Sequence, residues 1–540
     1  MTQPGGIDAD FIRRVNVGDL LTRSAARAPR QDAVVDGARR YSYAAFEDWC
    51  NQLAHGLWGR GYRPGDALAL MAGNCAEFLA TYFACAKLGL VCVPINLFWR
   101  HSELAYVLGH ARVRGAVVAA KLLEQFATGL AAGQALREVF VIGDANLPIP
   151  SAISWPDTLV RQPFGTLGEG QAPGVPVVAI ADRAPLSCLY TSGTTSAPKG
   201  VVGSHLAIYL ESLGTAIDTG MSMRDRAVAM LPMFHTAQLN AICTPVIAAG
   251  GAIVVMKGFD AEQLLDLIEH ERLTVLFGLP MMYRTLVQAQ RACARKVDSL
   301  RLAVYAMAPM PDHELRAAID TFGCGFSLMF GQTEMSPVAT FFRPERQLSH
   351  PGAMGTPGTN VQVGIMNEAG QLLPQGDEGE IVYRSPQALT GYLHDQEATD
   401  SVFRHGWFHS GDAGYICPDG LLWFIDRFKD VIKSGGENIA SLEVEKALYA
   451  AEPDIPEVVV IGLPHPRWTE AVTAVVLPCP GKQIDEVALA QRLRERLSPF
   501  KCPKSYIVVD AVPKTATGKI QKSILRKTYA GHYASEGSAS

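Results

Sequence analysis

Apolar runs of strand length alternate with helical patterns along most of the chain. Runs such as Ala227–Leu231 and Leu302–Tyr305 are separated by stretches whose apolar residues have helical spacing, such as Ala261–Glu271. Because apolar strands joined by helices lie in parallel sheets covered on both faces, this alternation predicts an α/β fold of layered sheets. In such sheets, ligands bind at the carboxyl ends of the strands.

The same alternation is visible in both parts of the first 350 residues. Before residue 190 the predicted helices are 17–29, 44–61 and 76–88, and the predicted strands are 39–43, 66–72 and 91–95. After it the predicted strands are 227–231, 252–256, 274–277, 302–305 and 326–330, with a further helix at 313–321. The stretch from Pro148 to Pro185 is rich in proline and glycine, which predicts a surface connection.

The pattern changes after Pro351. Glycines separate short strands such as Glu380–Tyr383, which predicts a small antiparallel, barrel-like unit. A charged run at 426–430 precedes a compact α+β pattern, with helices at 442–450 and 485–497 and strands at 458–461, 472–477 and 506–509. We therefore expect a large N-terminal domain, residues 1–428, followed by a small α+β domain, residues 429–540.

Composition narrows the class of protein. The chain has 540 residues, 48% of them hydrophobic and 19% charged, which is typical of a globular protein with more than one domain. A net charge of -5 argues against nucleic acid as the main partner. The 11 cysteines are scattered without a C-x-x-C pair, and no signal peptide or long apolar span is visible. These features predict a cytoplasmic enzyme without stable membrane insertion.

The stretch from Leu189 to Gly200 combines hydroxyl side chains, glycines and Lys199 between a predicted strand and a helix-like segment that starts near His205. Such a segment suits phosphate, because backbone N–H groups, hydroxyls and a cation converge on it. A Walker P-loop would end in Gly-Lys-Ser/Thr, which this stretch lacks. Ser196 and Lys199 match the S-x-x-K spacing, but the intervening proline opposes the helix that this motif needs. Phosphate binding is favoured over a flexible surface loop.

Five motifs in chain order resemble those of the adenylate-forming superfamily, which includes acyl- and aryl-CoA synthetases, peptide-synthetase adenylation domains and firefly luciferase. They are Thr191–Gly200, Phe330–Glu334, Ser410–Asp412, Asp426–Asn438 and Pro513–Lys519, within a resemblance that spans about residues 17 to 530. The resemblance implies that a carboxylate attacks the α-phosphate of ATP, giving an acyl adenylate and pyrophosphate. A thiol then displaces AMP.

On the ATP side, the resemblance implies that Glu334 binds Mg²⁺, that Phe330 stacks on adenine, and that Asp412 accepts hydrogen bonds from the ribose with Arg427 nearby. Glu334 and Asp412 also have plain structural interpretations, as a loop carboxylate and a turn aspartate. The other nucleotide-binding candidates are Thr191, Ser192, Gly193, Thr194, Thr195 and Lys199 around the β- and γ-phosphates, Ala306, Met307 and Ala308 beside the adenine and acyl pockets, and Gly331, Gln332 and Thr333.

The resemblance assigns catalysis to Lys519, which would bridge the carboxylate and the α-phosphate, with Glu334, Thr195 and His235 as further catalytic candidates. His235 would gate the acyl pocket. Lys429 matches a hinge that lets the C-terminal domain swing between the two half-reactions. On the face presented for the thiol step, Gly435, Gly436 and Glu437 would line the channel of the phosphopantetheine arm, with Lys433 near the thioester step.

Among the departures from the family pattern, Ser196 and Met307 bear most on the site. Ser196 replaces a glycine, at a cost of about 1 kcal/mol if its φ is positive. Met307 replaces a glycine or alanine on a loop that would line both pockets, so we expect it to narrow or reshape the acyl cavity.

The favoured function is ATP-dependent ligation of a fatty or aryl carboxylic acid to coenzyme A, with ATP, Mg²⁺ and coenzyme A as the required small molecules. A ligase that loads a carrier-protein thiol is the main alternative. A nucleotide-binding protein without turnover is a third hypothesis, which the intact Lys519, Glu334 and Asp412 oppose, and a luciferase-like oxygenase is a fourth. Medium-chain, branched and aryl acids are equal candidates, and a homodimer is left open.

Overall fold

The computed structural model describes residues 11–131, 134–146, 155–191, 198–307, 310–452, 455–479, 481–482, 484–515 and 520–534. The chain divides into two compact units. The first unit contains residues 1–363 and 383–408, and the second contains residues 364–382 and 409–540. Each unit is described by itself below.

The first unit contains a nine-stranded sheet that is parallel at its centre and antiparallel at its edges. The order is β16-β15-β14-β13-β12-β10-β11-β1-β2. The strands are β1 (Asp32–Asp36), β2 (Arg39–Ser42), β10 (Arg226–Ala229), β11 (Ala252–Val255), β12 (Val275–Gly278), β13 (Leu302–Tyr305), β14 (Gly325–Gly331), β15 (Val338–Phe342) and β16 (Thr356–Pro357).

A second sheet of the same unit has eight strands in the order β19-β9-β8-β4-β3-β5-β6-β7. The strands are β3 (Ala67–Met71), β4 (Val91–Pro94), β5 (Gly115–Ala119), β6 (Glu138–Ile142), β7 (Val160–Pro163), β8 (Pro185–Thr191), β9 (Lys199–Ser204) and β19 (Gly391–Tyr392). One of its faces packs apolar side chains such as Val93, Ala116 and Val118 against Leu104 and Phe126.

Helices connect the strands of the first unit. The α-helices are Val17–Arg27, Tyr43–Gly59, Ala76–Leu88, His101–His110, Leu123–Ala127, His205–Thr219, Thr236–Gln238, Thr244–Ala249, Ala261–Glu271, Pro280–Ala292, Asp312–Phe322 and Gln396–Val402, with a π-helical turn at Leu239–Cys243. Short 3₁₀ turns lie at Ala120–Leu122, Phe164–Leu167, Thr333–Met335 and Pro344–Arg346.

Local sequence explains where these helices begin and end. The Asn16 side chain accepts a hydrogen bond from Gly18 N at the start of Val17–Arg27, and Ser204 caps His205–Thr219 in the same way. Gly220 ends the latter helix in the left-handed conformation, at φ 62°. Among the residues that the structure describes, no helix combines the length and hydropathy that crossing a bilayer requires.

Five further strands form a small sheet in the order β17-β18-β21-β20, with β22 beside β21. They are β17 (Gln362–Met366), β18 (Gly379–Arg384), β20 (Phe403–Arg404), β21 (Trp407–Ile416) and β22 (Leu422–Arg427). Strand β21 pairs antiparallel with β20 and with β22, as expected from the glycine-punctuated pattern.

The second unit ends in a five-stranded sheet in the order β24-β23-β26-β25, with β27 beside β26. Its strands are β23 (Ile432–Ser434), β24 (Glu437–Ile439), β25 (Glu457–His465), β26 (Thr469–Leu477) and β27 (Ser505–Val508), and its helices are Ser441–Ala451, Glu486–Arg494 and Lys522–Thr528. Along β25, Val458 and Val460 face one core, whereas Val459 and Ile461 face the other.

The structure corrects three predictions. The sheets are mixed rather than parallel, because β2, β9, β15, β16 and β19 pair antiparallel with their neighbours. The predicted surface connection contains β7, which pairs parallel with β6 although its residues are only partly apolar. The glycine-rich stretch does not join a strand to a helix, because β9 follows it and pairs antiparallel with β8.

The division of the chain differs from the predicted boundary after residue 428. Residues 409–428 group with the C-terminal residues, and 364–382 join them. The two units are defined by how residues pack. The predicted boundary concerns which residues move together at Lys429. The boundary therefore stays a prediction.

Candidate active site

The described ends of the glycine-rich stretch lie on two antiparallel strands of the first unit, β8 and β9. Thr191 pairs with Lys199 next to the segment that connects the two strands, and Tyr190 pairs with Gly200 one residue further from it. The predicted phosphate contacts Ser192, Gly193, Thr194 and Thr195, together with Ser196, lie outside the described residues. Gly200 is needed for packing, since an added Cβ would lie 2.9 Å from Cys188 Sγ and 3.1 Å from the Tyr190 ring.

Glu334 lies in the 3₁₀ turn that follows β14. The turn is tight, because an added Cβ at Gly331 would lie 2.0 Å from the carbonyl oxygen of Pro337. Gln332 N donates to that same carbonyl at 3.0 Å, and Met335 N donates to Gln332 O at 2.8 Å. The predicted residues Gly331, Gln332 and Thr333 therefore shape the turn that presents the Glu334 side chain.

Among the described residues, the Glu334 side chain has one hydrogen-bond partner, and that partner is uncharged. Tyr392 donates its hydroxyl hydrogen to Glu334 Oε1 at 3.0 Å, and burial, reinforced by the Glu334 charge, raises the pKa of Tyr392. The ion pairs between described residues do not include Glu334. A half-buried carboxylate without a cationic partner suits a hard divalent cation.

Lys199 lies close to the same tyrosine. Its Nζ is 5.0 Å from the centroid of the Tyr392 ring, within cation–π range. Within the described parts of the chain, no three acidic, histidine or cysteine side chains cluster as a protein-only metal site would. In general, Mg²⁺ is bound by one or two carboxylates together with substrate phosphates, and a single carboxylate is compatible with such a site.

The strand ends nearby hold the predicted adenine and acyl candidates. Phe330 is half-buried near the end of β14, opposite Thr340. Ala306 is buried directly after β13, and Met307 follows at φ 73° with 43% of its surface exposed. Ala308 lies outside the described residues. Glycine adopts a positive φ freely, whereas a methionine in this conformation is strained. Position 307 therefore has a backbone conformation that favours glycine.

The loop that carries His235 is held by two buried amides. Asn74 Nδ2 donates to the carbonyl oxygens of Ala229 and Leu231 at 3.0 and 2.9 Å, and its Oδ1 accepts from Met233 N at 2.9 Å. Gln238 Oε1 accepts from Leu231 N at 3.0 Å. His235 Nδ1 accepts from Ala237 N at 3.3 Å, which caps the short helix after the loop.

In the second unit, Asp412 and Arg427 face each other across β21 and β22. Asp412 is 4% exposed, and its Oδ1 lies 3.2 Å from Arg427 Nε. Glu380 supports the turn before it by accepting from Gly411 N at 3.0 Å and contacting His409 Nδ1 at 2.7 Å. The two residues that the resemblance assigns to the ribose are thus brought together within one unit.

Lys429 follows this pair. Burial, together with the nearby Arg427 charge, lowers the pKa of Lys429. The next residue, Asp430, forms an ion pair with Arg526 at 2.9 Å. The exposed Lys433 pairs with Asn438 in the β23–β24 hairpin.

The glycines of the predicted thiol channel form the turn of that hairpin. Gly435 and Gly436 have φ values of 60° and 92°, between the paired residues Ser434 and Glu437. A two-residue hairpin turn with two positive φ angles requires glycine, asparagine or aspartate. The turn geometry alone accounts for these glycines, and the channel role of Gly435, Gly436 and Glu437 stays a prediction.

Lys519 lies outside the described residues, with the rest of segment 516–519. The chain on either side is held together, because Lys514 and Ile520 form an isolated antiparallel bridge and Gln521 N donates to Pro513 O at 2.9 Å. Lys514 also forms an ion pair with Glu457 at 2.8 Å. The residues on either side of the segment that carries the predicted catalytic lysine therefore lie next to each other in the second unit.

The sequence interpretation missed Tyr392 and Asn74. Asn74 lies three residues after the end of β3, so extending the strand-end rule to the loop after β3 would have selected it. Tyr392 has no comparable signal, because β19 is only two residues long and its partners are far away in sequence.

Comparison with known proteins defines the class. A model of the AMP-binding enzyme family matches residues 21–393, and a model of the AMP-binding enzyme C-terminal domain matches residues 443–519. The chain therefore belongs to the AMP-binding enzyme family. This finding confirms the predicted adenylate-forming superfamily.

Individual relatives agree with the class. A feruloyl-CoA synthase from Amycolatopsis sp is 34% identical over 96% of this chain and 100% of its own length. An indoleacetate–CoA ligase from Aromatoleum aromaticum is 30% identical over 96% of this chain and 98% of its own length. A long-chain-fatty-acid–CoA ligase from Mycobacterium tuberculosis is 30% identical over 95% of this chain and 98% of its own length. The predicted enzyme class, an AMP-forming acyl-CoA synthetase, is confirmed at the level of the family.

The fold is confirmed by solved structures. ATP-bound MatB from Rhodopseudomonas palustris superimposes with a TM-score of 0.85 at 29% identity, over 96% of this chain and 100% of that one. The predicted α/β architecture with a small C-terminal α+β part is therefore correct.

Proposed function

We propose that this enzyme ligates an aryl-bearing carboxylic acid to coenzyme A through an acyl adenylate, with Mg²⁺ bound by Glu334. The observation that supports the metal site most directly is the Glu334 carboxylate, which is held by the neutral Tyr392 hydroxyl and has no ion pair among the described residues. When bound, Mg²⁺ would neutralise charge on the phosphates of ATP.

In the first step, a carboxylate oxygen of the acid attacks the α-phosphorus and the bond to pyrophosphate breaks. We assign the departing pyrophosphate to Thr191 to Thr195 of the glycine-rich stretch and to Lys199. Lys519 would offset the negative charge shared by the carboxylate and the α-phosphate. Phe330 would stack on adenine, while Asp412 and Arg427 would hold the ribose hydroxyls.

In the second step, the thiol sulfur of coenzyme A attacks the acyl carbonyl, the proton of the thiol is lost, and AMP leaves. We assign the approach of the phosphopantetheine arm to the β23–β24 hairpin, with Lys433, Gly435, Gly436 and Glu437. The three relatives named above act with CoA by name, which supports CoA over a carrier protein as the acceptor.

The aryl preference is supported by Met307 and by two relatives. Met307 is the second residue after β13 and exposes 43% of its surface, so a flexible thioether is available near the strand end where the acyl group is expected. Methionine sulfur makes favourable contacts with aromatic rings. The feruloyl-CoA synthase and the indoleacetate–CoA ligase act on aryl-bearing acids by name.

We also propose that the enzyme is cytoplasmic, and the 11 scattered cysteines without a C-x-x-C pair support this location. The acid is its small-molecule partner. The net charge of -5 supports a small-molecule rather than a nucleic-acid partner, and the number of subunits is left open.

The decisive experiment incubates the enzyme with ATP, Mg²⁺ and CoA together with ferulate, indoleacetate, an eight-carbon or a sixteen-carbon fatty acid. Pyrophosphate release and acyl-CoA mass measure the two half-reactions. We expect the highest kcat/KM with an aryl acid. A preference for the sixteen-carbon acid would refute the aryl assignment, and loading of a carrier protein without any acyl-CoA would refute the acceptor.

Substitutions at Met307 test the pocket separately. Met307→Ala and Met307→Gly both remove the side chain, and each should change the ratio of kcat/KM between two acids of different width by about ten-fold. Met281→Ala, at an exposed methionine on the helix Pro280–Ala292, is the matched control and should leave the ratio unchanged. An unchanged ratio in both Met307 variants would remove Met307 from the acyl pocket.

A further inference from the structure

Tyr392 contacts two charged residues that the proposed function places at the phosphates. Its hydroxyl donates to Glu334 Oε1 at 3.0 Å, and its ring lies 5.0 Å from Lys199 Nζ. It is half-buried in β19, at the edge of the eight-stranded sheet. Its two contacts use different parts of the side chain, so they are separable by substitution.

The backbone around Tyr392 is bound to the strand that carries Lys199. Tyr392 pairs with Val201 in β9, and Leu393 N donates to Gly200 O at 2.8 Å. Tyr392 N also donates to Thr399 Oγ1 at 2.9 Å. The backbone of Tyr392 is therefore bound to the first residues of β9, directly after the glycine-rich stretch.

The same short segment is bound to the Glu334 turn. Leu389 N donates to the carbonyl oxygen of Glu334 at 2.7 Å, three residues before the tyrosine. Residues 389–393 thus hold the backbone of Glu334 at one end and the backbone of β9 at the other. Tyr392 lies in this segment and adds the side-chain contacts to both.

The chemistry of a tyrosine suits this place. Its hydroxyl orients the carboxylate without neutralising it, and its ring face attracts the ammonium without the charge of an acid. No ion pair joins Lys199 to Glu334 in the described part of the chain. Both charges therefore remain available to a bound cation and to phosphate.

We propose that Tyr392 is a positioning residue that holds the Glu334 carboxylate and the Lys199 ammonium in place for a nucleotide triphosphate with its divalent cation. The proposal rests on the proposed function through the roles of Glu334 and Lys199. It adds that the cation and phosphate contacts are coupled through one side chain.

The test measures ATP binding by calorimetry in the full-length enzyme without any acid, over a series of Mg²⁺ concentrations. Tyr392→Phe removes the hydroxyl and keeps the ring, so the Mg²⁺ concentration for half-maximal ATP binding should rise about ten-fold. ATP affinity in EDTA should stay unchanged. Tyr392→Leu removes the ring as well and should also weaken metal-free ATP binding, by about three-fold.

Tyr190→Phe is the matched control. Tyr190 lies on β8, on the other side of β9 from Tyr392, and its hydroxyl bonds to His110 Nδ1 at 2.8 Å instead of to a predicted ligand. This variant should leave the Mg²⁺ dependence unchanged. Circular dichroism at increasing temperature checks that each variant is folded, and Tyr392→Phe serves if Tyr392→Leu is unstable.

Three results would overturn the proposal: a wild-type Mg²⁺ dependence in Tyr392→Phe, an equal shift in Tyr190→Phe, or ATP binding by the wild type that does not respond to Mg²⁺. The outcome is separable from that of the proposed function. If the wild type binds ATP with Mg²⁺ and Tyr392→Phe shifts as expected, but no acid yields acyl-CoA, the proposed function fails and the role of Tyr392 stands.

Discussion

Glu334 in the first unit and Asp412 in the second are both predicted to contact ATP, yet their surroundings are opposite. Glu334 is half-buried, and its side chain accepts a hydrogen bond from the neutral Tyr392. Asp412 is almost fully buried, and Arg427 lies 3.2 Å from its Oδ1. Among the described residues, no cation pairs with Glu334, whereas Arg427 offsets the charge of Asp412.

This difference indicates what each carboxylate is able to bind. An uncompensated carboxylate attracts a cation strongly, because its charge is not offset within the protein. A carboxylate beside an arginine attracts a second cation only weakly, but its remaining lone pairs still accept hydrogen bonds from neutral hydroxyls. The pattern agrees with a metal role for Glu334 and a ribose role for Asp412.

The largest expected effect lies outside both carboxylates, at Lys519. Lys519→Ala should lower ATP–pyrophosphate exchange about a thousand-fold, since the charge shared by carboxylate and α-phosphate loses its cation. Formation of acyl-CoA from supplied acyl-AMP should be largely unchanged, because the lysine is assigned to adenylation alone.

Lys527→Ala, at an exposed lysine of the helix Lys522–Thr528, is the control for Lys519→Ala and should affect neither half-reaction. An equal loss of both half-reactions in Lys519→Ala would contradict the assignment of the two steps to different faces.

Glu334→Gln tests the first carboxylate of the comparison. We expect the rate of adenylation to fall about a hundred-fold at about 1 mM Mg²⁺, because the amide cannot supply the charge of a metal ligand. Part of the loss should be recovered as Mg²⁺ is raised, and ATP binding in EDTA should be unchanged. Glu345→Gln, at an exposed acid of a nearby turn, is the control. A loss that does not respond to Mg²⁺ would argue for a structural role.

His205 adds a buried base to the comparison. Burial opposes its protonation, and no ion pair among the described residues stabilises its charged form. Burial, with a smaller effect of the Arg14 charge, lowers the pKa of His205 to about 3, and its Nδ1 accepts from Val17 N at 3.4 Å. Below about pH 6.5 the unfolded chain binds a proton at this residue that the folded chain does not bind. Stability should therefore fall as the pH drops from about 6.5 towards 3, by about 2 kcal/mol at pH 5.

Chemical denaturation at pH 7 and pH 5 measures this effect of His205. His205→Asn keeps an acceptor and removes the titration, so its stability should depend less on pH than that of the wild type. His270→Asn, at an exposed histidine, should resemble the wild type. The same pH dependence in the wild type and in His205→Asn would exclude His205 as the cause.

Asp412→Asn tests the second member of the comparison and should have the smallest effect. We expect the Kd for ATP to rise about ten-fold, since one charged acceptor becomes neutral. This shift should be the same at every Mg²⁺ concentration, in contrast to Glu334→Gln. The preference for ATP over 2′-deoxy-ATP should also shrink. Asp419→Asn, in an exposed turn, is the control, and a Mg²⁺-dependent shift in Asp412→Asn would contradict the ribose assignment.

Much of the fold follows from local periodicity. The helices Ala76–Leu88 and Ala261–Glu271 and the strand Leu302–Tyr305 have the predicted bounds, because their apolar spacing and their flanking residues agree with the local structure. Strand β7 was missed since its residues are only partly apolar, and it forms by pairing with β6. Pairing partners that are distant in sequence leave no local pattern.

The residues of the candidate site also differ in whether the sequence could predict them. The class of protein and the reaction follow from motifs that are continuous in sequence, because loops that bind phosphate or ribose need particular residues at short spacing. Glu334, Lys199, Asp412 and Arg427 could each be selected from such motifs. Asn74, which holds the loop before His235 from about 160 residues away, could not be selected by the motifs.

The sequence alone thus determined the α/β architecture, the family and the type of reaction, since these depend on periodicity and on contiguous motifs. Only the tertiary structure decided that the strands on either side of the glycine-rich stretch pair antiparallel, that Gly435 and Gly436 form a turn, and that Tyr392 lies against Glu334 and Lys199. The physical reason is that the surroundings of a charge depend on residues brought together by folding. Those surroundings distinguish a carboxylate that suits a cation from one that suits a hydroxyl.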